Sequence, residues 1–286
     1  MRRQNSKGPR DSKPKADHKS DRTHRVSSRV IPERKSVNPV QAAQIPKSWR
    51  AIVGTHAIAE TMKLHPQGVQ LAWLKQNFET IKELRDLELE LRNRKVKIEL
   101  KSDADLERLA RTHQGAALFS SFVPKLDWER LYSLPKAKII LLDGIEDPHN
   151  LGAILRTAWL MGVEGLLIPQ DRSVGLTPSV HKVASGGAEH VPVEIVGSFS
   201  NSLESLKKNG FWVYGLSHLG KAKLFDLKLP DKIVWAIGAE DKGLRTTTER
   251  LCDELVQIPQ MSAAASYNAS VAAAIALTET CRQLGI

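Results

Sequence analysis

The feature that most constrains the fold is a set of short apolar segments in which polar and apolar residues do not alternate. Residues 139–142 read IILL and residues 234–238 read VWAIG. Such strands are buried on both faces, as in a parallel sheet that helices cover on each side. Segments with helical periodicity lie between them. The chain from residue 138 to residue 286 is therefore predicted to form an α/β domain.

The order of the predicted elements supports two structured units. From residue 138 the strand candidates are KIILLDG, GLLIP, VPVEIV, FWVYGLS, KIVWAIGAE and ELVQIP, and the helix candidates are HNLGAILRTAWLMG, TPSVHKVASGG, SFSNSLESLKKNG, TTTERLCD and NASVAAAIALTETCRQLG. Residues 49–122 also alternate short strands and helices and predict a smaller α/β domain. Residues 123–137 contain Pro and charged positions and are interpreted as a linker.

The positive charge of the chain is confined to its beginning. Residues 1–50 hold 14 of the 42 Lys/Arg and 4 of the 32 Asp/Glu, so the other 236 residues hold 28 of each. Residues 1–45 have few apolar residues to bury and are predicted to be a disordered basic tail. A cationic arm suits a phosphate-rich partner such as RNA or DNA. A solubilising tail without a partner and, less favoured, a mitochondrial transit peptide are the alternatives.

Several classes of protein are not expected. No apolar run approaches the roughly 20 residues that a membrane-spanning helix needs, and the beginning of the chain lacks the apolar core of a signal peptide. A cytoplasmic location is therefore expected. The two cysteines, Cys252 and Cys281, lack metal-ligand spacing, so neither a disulfide framework nor a metal site is predicted.

The first segment that can carry chemistry runs from Asp143 to Arg156. Asp147 followed by Pro148 is a favourable start for a helix. Gly152 lies one turn before Arg156 and leaves space beside the guanidinium for another group to approach. Taken alone, the segment is more typical of an ordinary strand-helix unit with a solvated arginine.

Two later segments add to the first. Residues 234–245 read VWAIGAEDKGLR, in which Gly238 and Gly243 flank Glu240 directly after a strand and let the backbone approach a ligand. This is neither a Walker loop nor a dinucleotide fingerprint. Near the end of the chain, a loop of small residues, 262–266, precedes Asn268, which can cap a helix of mostly Ala and Val.

In this order, the three segments resemble the signature motifs of the SpoU methyltransferases of the SPOUT superfamily. The matching residues are Asn150, Gly152, Arg156, Thr157 and Ala158 in the first motif, Gly238, Glu240, Gly243 and Leu244 in the second, and Ile258, Pro259, Ser266, Asn268, Ser270 and Ala272 in the third. Val183–Val193, reading VASGGAEHVPV, resembles the family segment between the first two motifs. Tyr267 replaces the usual Leu, and the loop Gln260, Met261, Ser262 departs from the common Met-x-Gly.

The smaller domain, with His113-Gln114-Gly115 near its end, resembles the ribosomal-protein-L30e-like substrate domain of the branch that methylates guanosine in bacterial 23S rRNA. The resemblance implies transfer of a methyl group from S-adenosylmethionine to a ribose 2′-OH of RNA. It also implies a parallel sheet with a deep C-terminal trefoil knot, and a homodimer. A tRNA ribose methyltransferase and a non-catalytic RNA-binding or ribosome-assembly factor are the alternatives.

The same resemblance assigns roles to individual residues. The catalytic set that it implies is Arg156, Asn150, Glu240, Ser266 and Asn268. The cofactor-binding set that it implies is Gly215, Leu216, Gly238, Ile258 and Tyr267. Because a guanidinium has a pKa above about 12, Arg156 is expected to hold an RNA phosphate and stabilise the developing alkoxide rather than to act as a free base.

Overall fold

The computed structural model describes residues 45–262 and 265–285. The predicted basic tail lies outside the described residues, except for Ile45 at its end. None of the helices in these two ranges combines the length and hydropathy that a crossing of a membrane requires.

The smaller α/β unit is built on a four-stranded sheet. Its strands are β1 (Arg50–Val53), β2 (Val69–Lys75), β3 (Lys97–Lys101) and β4 (Ala116–Ser120), and its helices are α1 (Thr55–Leu64), α2 (Lys82–Asn93) and α3 (Asp103–Glu107). The strand order is β1-β4-β2-β3, with β2 parallel to β3 and β4 antiparallel to both of its neighbours. One face packs Ile58, Met62 and Leu84, while the other packs Trp73 and Phe119.

The larger unit is built on a seven-stranded sheet. Its strands are β5 (Ala137–Asp143), β6 (Gly165–Pro169), β7 (Val193–Val196), β8 (Trp212–Leu216), β9 (Ala222–Lys223), β10 (Lys232–Gly238) and β11 (Glu254–Gln257). Its helices are α4 (Trp128–Ser133), α5 (Pro148–Leu160), α6 (Pro178–Ala184), α7 (Gly187–His190), α8 (Phe199–Lys208), α9 (Thr246–Glu249) and α10 (Ala269–Leu284). All neighbouring strands are parallel, in the order β7-β6-β5-β10-β8-β11-β9.

The central strands are buried on both faces, which confirms the prediction from their unbroken apolar sequence. Ile140 and Trp235 belong to the cluster that packs with α5 and α10, while Ile139 and Val234 belong to the cluster that packs with α8. The indole Nε1 of Trp235 donates a hydrogen bond of 2.9 Å to Oγ1 of Thr280 in α10. The polar atom of the largest core side chain is thereby satisfied.

The strand order creates a crevice at one edge of the sheet. From β5 the chain moves outward to β6 and β7, whereas β8, β10 and β11 lie on the other side of β5. Ligands of open α/β sheets bind at such a switch point, beside the carboxyl ends of the strands. Asp143 and Gly238, the last residues of β5 and β10, are partners in the register. The loops that follow them therefore begin side by side. The predicted trefoil knot stays a prediction.

The structure differs from the sequence interpretation at several local points. The linker contains helix α4, which Asp127 caps by accepting a hydrogen bond of 3.0 Å from the backbone N–H of Arg130. Strand β9 is not among the strands predicted from residue 138 onward. The space beside Gly152 is filled by α6, since a Cβ at this position would lie 2.6 Å from Cβ of Val183.

Candidate active site

Three side chains from the three motif segments meet at the carboxyl ends of the strands. Nδ2 of Asn150 donates a hydrogen bond of 2.8 Å to Oε1 of Glu240, and Nδ2 of Asn268 donates one of 2.9 Å to Oδ1 of Asn150. Nδ2 of Asn268 also donates to Oε1 of Glu240. The cluster Asn150–Glu240–Asn268 joins residues that are 118 positions apart in the sequence at its widest.

Two members of this cluster are positioned by the N-terminal ends of helices. Oδ1 of Asp147 accepts a hydrogen bond of 3.0 Å from the backbone N–H of His149, so α5 begins where the sequence predicts and Asn150 lies in its first turn. Asn268 caps α10, because its Oδ1 accepts hydrogen bonds from the N–H of Ser270 at 2.9 Å and from its Oγ at 2.6 Å. The amide of Asn268 therefore serves the helix with its oxygen and Glu240 with its nitrogen.

A tight turn after β10 holds the third member. The N–H of Ala239 donates a hydrogen bond of 3.1 Å to the carbonyl of Gly243, and the N–H of Gly243 donates one of 2.8 Å to the carbonyl of Ala239. Gly243 has a φ of 64°, which glycine adopts without strain. A Cβ on Gly238 would lie 2.0 Å from the carbonyl carbon of Gly243. Only glycine permits this approach, and the turn projects Glu240 over the crevice.

A buried carboxylate connects this turn to β5. Asp143 is 1% exposed, and its Oδ2 accepts a hydrogen bond of 2.9 Å from the backbone N–H of Arg245. Its Oδ1 accepts one of 2.5 Å from Nε of the same arginine. This pair fixes the position of the second motif relative to the first. The sequence interpretation assigned Asp143 no role, although an acidic residue directly after IILL was the available signal.

Four of the five predicted cofactor residues line one cavity. Leu216, Gly238, Ile258 and Tyr267 border a space of about 300 Å³, together with Glu240 and Ser266. The hydroxyl of Tyr267 donates a hydrogen bond of 3.2 Å to the carbonyl of Pro259. Gly215 does not line this cavity. It lies within β8, where a Cβ would be 2.8 Å from Cys252, Leu244 and Leu255.

A second cavity of about 300 Å³ lies on the other side of Glu240. It is bordered by the loop after β5, by Asn150, and by the basic side chains Arg172, Lys242 and Arg245. Glu240 borders both cavities. The Asn150–Glu240–Asn268 cluster therefore stands between two spaces that can hold two different ligands.

Arg156 is separate from this cluster within one chain. It follows Asn150 by six residues, which places the two side chains about 120° apart around α5. Arg156 is exposed and borders a third cavity of about 510 Å³, whose other walls include His56 and Glu60 of α1, Trp159 and Leu160. It has no hydrogen bond or ion pair within residues 45–262 and 265–285.

Nucleophilic and metal chemistry receive little support from the described residues. Burial raises the pKa of the Cys252 thiol to about 12, so this sulfur is protonated at neutral pH. In the described part of the chain, no three His, Cys, Asp or Glu side chains are grouped so that they would hold a metal ion. The polar groups that border the two cavities are amides, carboxylates, hydroxyls, guanidinium groups, the ammonium group of Lys242 and the imidazole of His218.

The larger unit is an open parallel α/β sheet with two cavities around one polar cluster. This is the arrangement of an α/β enzyme domain that binds two ligands. A small α/β domain precedes it in the chain. The sequence model of the SpoU rRNA methylase family matches residues 137–278, and the model described as RNA 2′-O ribose methyltransferase substrate binding matches residues 51–123. The 23S rRNA (guanosine-2′-O-)-methyltransferase RlmB of Coxiella burnetii is 36% identical over 240 residues, which cover 82% of this chain and 96% of that protein. The chain belongs to the SpoU rRNA methylase family.

Solved structures share the fold. A crystal structure of an RNA 2′-O ribose methyltransferase aligns with a TM-score of 0.68 and 26% identity, over 82% of this chain and 89% of that one. The SpoU methyltransferase AviRb from Streptomyces viridochromogenes, in complex with the cofactor AdoMet, aligns with a TM-score of 0.70 and 23% identity, over 82% and 90%. These similarities confirm the predicted SPOUT-type α/β fold.

Proposed function

We propose that this protein transfers the methyl group of S-adenosylmethionine to a ribose 2′-OH of RNA, with a guanosine of 23S rRNA as the substrate. The observation that carries the proposal is the Asn150–Glu240–Asn268 cluster between two cavities, formed by the family's three motifs. The similarity to the Coxiella enzyme along nearly its whole length supports the choice of 23S rRNA. An rRNA substrate implies that the protein acts in the cytoplasm.

The cavity beside Tyr267 fits S-adenosylmethionine. Its volume of about 300 Å³ lies at the small end of the range typical of ligand pockets. Leu216 and Ile258 provide apolar walls for an adenosine. When bound, the cofactor supplies an electrophilic methyl group. Nε2 of Gln260, which borders this cavity, donates a hydrogen bond of 3.1 Å to the carbonyl of Ala265.

The second cavity is suited to the target nucleotide. Arg172 and Lys242 are exposed at its border, beside the acidic side chains of Glu146, Asp147 and Asp241, and can contact phosphate groups. Oε1 of Glu240 is already occupied by the two asparagine amides. Its Oε2 has no partner among the described residues, so it can accept a hydrogen bond from a ribose hydroxyl. The two amides thus hold Glu240 in one orientation, and Glu240 orients the hydroxyl toward the cofactor cavity.

Arg156 points away from the cluster of its own chain, and we propose that it serves the site of a second copy. A homodimer is implied by the family resemblance and fits an apolar groove between α5 and α10. Phe225 is 55% exposed in this groove and Val271 is 44% exposed, beside Ala153, Ala274 and Ile275. In the partner's site, the guanidinium would hold the RNA phosphate and stabilise the developing alkoxide.

The test of the function is transfer of a tritiated methyl group from S-adenosylmethionine to ribosomal RNA and to tRNA, followed by mapping of the labelled nucleotide. Label at a guanosine 2′-O of 23S rRNA is expected. Label in tRNA would contradict the proposed substrate, and binding of RNA without transfer would contradict the enzyme assignment. Arg156→Ala is expected to abolish transfer and to leave cofactor binding unchanged. Arg130→Ala, in α4 before the opposite end of β5, is the matched control and should retain activity.

Mixed variants test whether the site is shared between copies. Arg156→Ala and Asn268→Ala are each expected to be inactive alone. If they are co-folded in equal amounts, half of the dimers are mixed and carry one intact site each, so about a quarter of the wild-type activity should return. Absence of any recovery, with mixed dimers present, would show that Arg156 acts within its own chain or not at all.

A further inference from the structure

The segment Val183–Val193 is not used by either cavity of the active site. It leaves α6, turns through Ser185 (φ 50°) and Gly186 (φ 103°), and continues as α7. The turn lies against the smaller domain, because a Cβ on Gly186 would be 2.7 Å from Cγ of Glu60 in α1. Glycine at this position lets the two domains approach.

Glu189 in this segment makes a paired contact with Arg50 of the smaller domain. Nη1 of Arg50 donates to Oε1 of Glu189, and Nη2 donates to Oε2, both at 2.9 Å. Nε of Arg50 also donates a hydrogen bond of 2.7 Å to the carbonyl of Phe122. The two residues are 9% and 3% exposed. A bidentate pair of this kind fixes direction as well as distance.

Histidines from both domains surround this pair. Nε2 of His65 lies 3.1 Å from the carbonyl oxygen of Glu189, and Nε2 of His190 lies 2.7 Å from Oε2 of Glu60. Nδ1 of His181 is 3.4 Å from Oε1 of Glu189. Burial, aided by Arg50 and opposed by Glu189, lowers the pKa of His181 to about 4, so His181 is neutral at physiological pH. Arg50 and Glu189 therefore balance each other in charge.

These polar contacts, together with a hydrogen bond from Nζ of Lys182 to the carbonyl of Thr112 and the packing of β1 against α6, hold the two domains to each other. Every apolar cluster of the smaller domain consists of its own residues, and the clusters of the larger domain contain none of them. The contact also sets the width of the third cavity, which lies between α1 and α5. His190 stacks on Trp159 at 4.1 Å, beside Arg156 in that cavity.

We propose that Arg50 and Glu189 form an interdomain clasp. Glu189 is a positioning residue that sets the angle of the smaller domain, which is the substrate domain. This angle in turn sets the path of RNA across the third cavity, beside Arg156. The proposal deepens the proposed function and rests on it for the identity of the substrate. The clasp itself is a property of the protein without RNA. Separation of the two domains can therefore be measured without RNA.

Glu189→Gln is the test variant, because it removes the charge that balances buried Arg50 and breaks the paired geometry. Four quantities are measured in the full chain. The KM for ribosomal RNA is expected to rise about tenfold or more, because the substrate domain no longer has one orientation. The Kd for S-adenosylmethionine, and kcat at saturating RNA, should change less than about twofold, since neither cavity is touched. Tryptic cleavage after Lys125, in the exposed link between the domains, should become faster.

Two comparisons make the result specific. Glu204→Gln removes one partner of an exposed ion pair with Lys208 in α8 and should match the wild type in all four measurements. The double variant Arg50→Met/Glu189→Met leaves no buried charge unpaired, and it should recover most of the KM and slow the cleavage again. Such recovery would separate docking from a direct contact of Arg50 with RNA. If Glu189→Gln folds poorly, Arg50→Lys keeps the charge and removes only the paired geometry, and it should show the same changes with smaller size.

A wild-type KM for RNA in Glu189→Gln would overturn the clasp, and so would a raised KM without faster cleavage after Lys125. A KM in the double variant that stays as high as in Glu189→Gln would also overturn it. Failure of the proposed function is distinguishable, because the wild-type protein would then transfer no methyl group to RNA while the cleavage rates still reported on the clasp.

Discussion

Replacement of Gly238 by alanine tests whether the tight turn after β10 builds the cofactor cavity. The added Cβ would lie 2.0 Å from the carbonyl carbon of Gly243, 2.2 Å from its oxygen and 2.2 Å from the nitrogen of Leu244. All three atoms belong to the backbone. No side-chain rotation can therefore relieve the overlap, and the turn must move by more than an ångström to restore ordinary carbon contacts of about 3.5 Å.

The size of the effect follows from what opposes this movement. The turn is held by two backbone hydrogen bonds between Ala239 and Gly243 and by the bond from the N–H of Arg245 to buried Asp143. Overpacking in a constrained site costs about 1–3 kcal/mol. Because Gly238 and Gly243 both border the cofactor cavity, we expect the cost to appear in cofactor binding as well as in stability. A loss of about 1.4 kcal/mol in binding corresponds to tenfold in Kd.

The assay is isothermal titration of the purified variant with S-adenosylmethionine, beside urea unfolding of the same sample. Gly238→Ala should bind at least about tenfold more weakly and unfold at lower urea. Gly197→Ala is the matched control, because a Cβ there meets nothing within 4 Å. If Gly238→Ala binds S-adenosylmethionine as the wild type does and unfolds at the same urea concentration, the turn does not define the cavity and the reasoning fails.

Three further predictions follow from other parts of the chain. Asn268→Ala should lose about 1 kcal/mol of stability, because it removes the cap of α10. Asn268→Asp keeps a capping oxygen but places a second carboxylate beside Glu240. Both variants should lose methyl transfer, and urea unfolding should show the loss of stability in Asn268→Ala alone. His181 has its pKa lowered from 6.5 to about 4, so the unfolded chain binds a proton there that the folded chain does not, and the free energy of unfolding falls as the pH falls from 6.5 toward 4. In His181→Leu, the free energy of unfolding should fall less between about pH 7 and pH 5 than in the wild type. Urea unfolding of both proteins at the two pH values measures this, and an equal fall would contradict the prediction. Removal of residues 1–45 takes away 12 Lys/Arg and should give weaker, less salt-dependent RNA binding with methyl transfer retained; an unchanged salt slope would indicate a solubilising tail.

The sequence predicted the larger domain well because its strands are buried on both faces. Burial on both faces removes polar residues from a strand, and such segments as IILL and VWAIG stand out from their surroundings. Short edge strands lack this signal. The two residues of β9, Ala222 and Lys223, are too few to show a pattern, and β1 gains its identity from pairing with β4 far along the chain.

The site was predictable in its membership and less so in its geometry. Asn150, Glu240 and Asn268 meet as the shared motifs suggest, because each follows or begins an element whose boundary the sequence marks. Arg156 lies on the same helix as Asn150, and the sequence does not show that the helix presents them to different neighbours. The role of Asp143 depends on a backbone N–H about a hundred residues later. An acidic residue directly after IILL is a signal, but its residue type does not show which distant backbone N–H it binds.

Because the amide of Asn268 bonds both α10 and Glu240, the site is complete only when the last helix of the chain is in place. The amide oxygen holds the first turn of α10, and the amide nitrogen holds Glu240. A chain whose last helix has not yet packed against the sheet therefore lacks the complete Asn150–Glu240–Asn268 cluster, even when the sheet and the first two motifs are folded. The same linkage works in reverse, because a ligand bound beside Glu240 stabilises the seated helix by mass action. A chain that lacks α10 would therefore transfer no methyl group, and hydrogen exchange in α10 should slow when the cofactor cavity is filled.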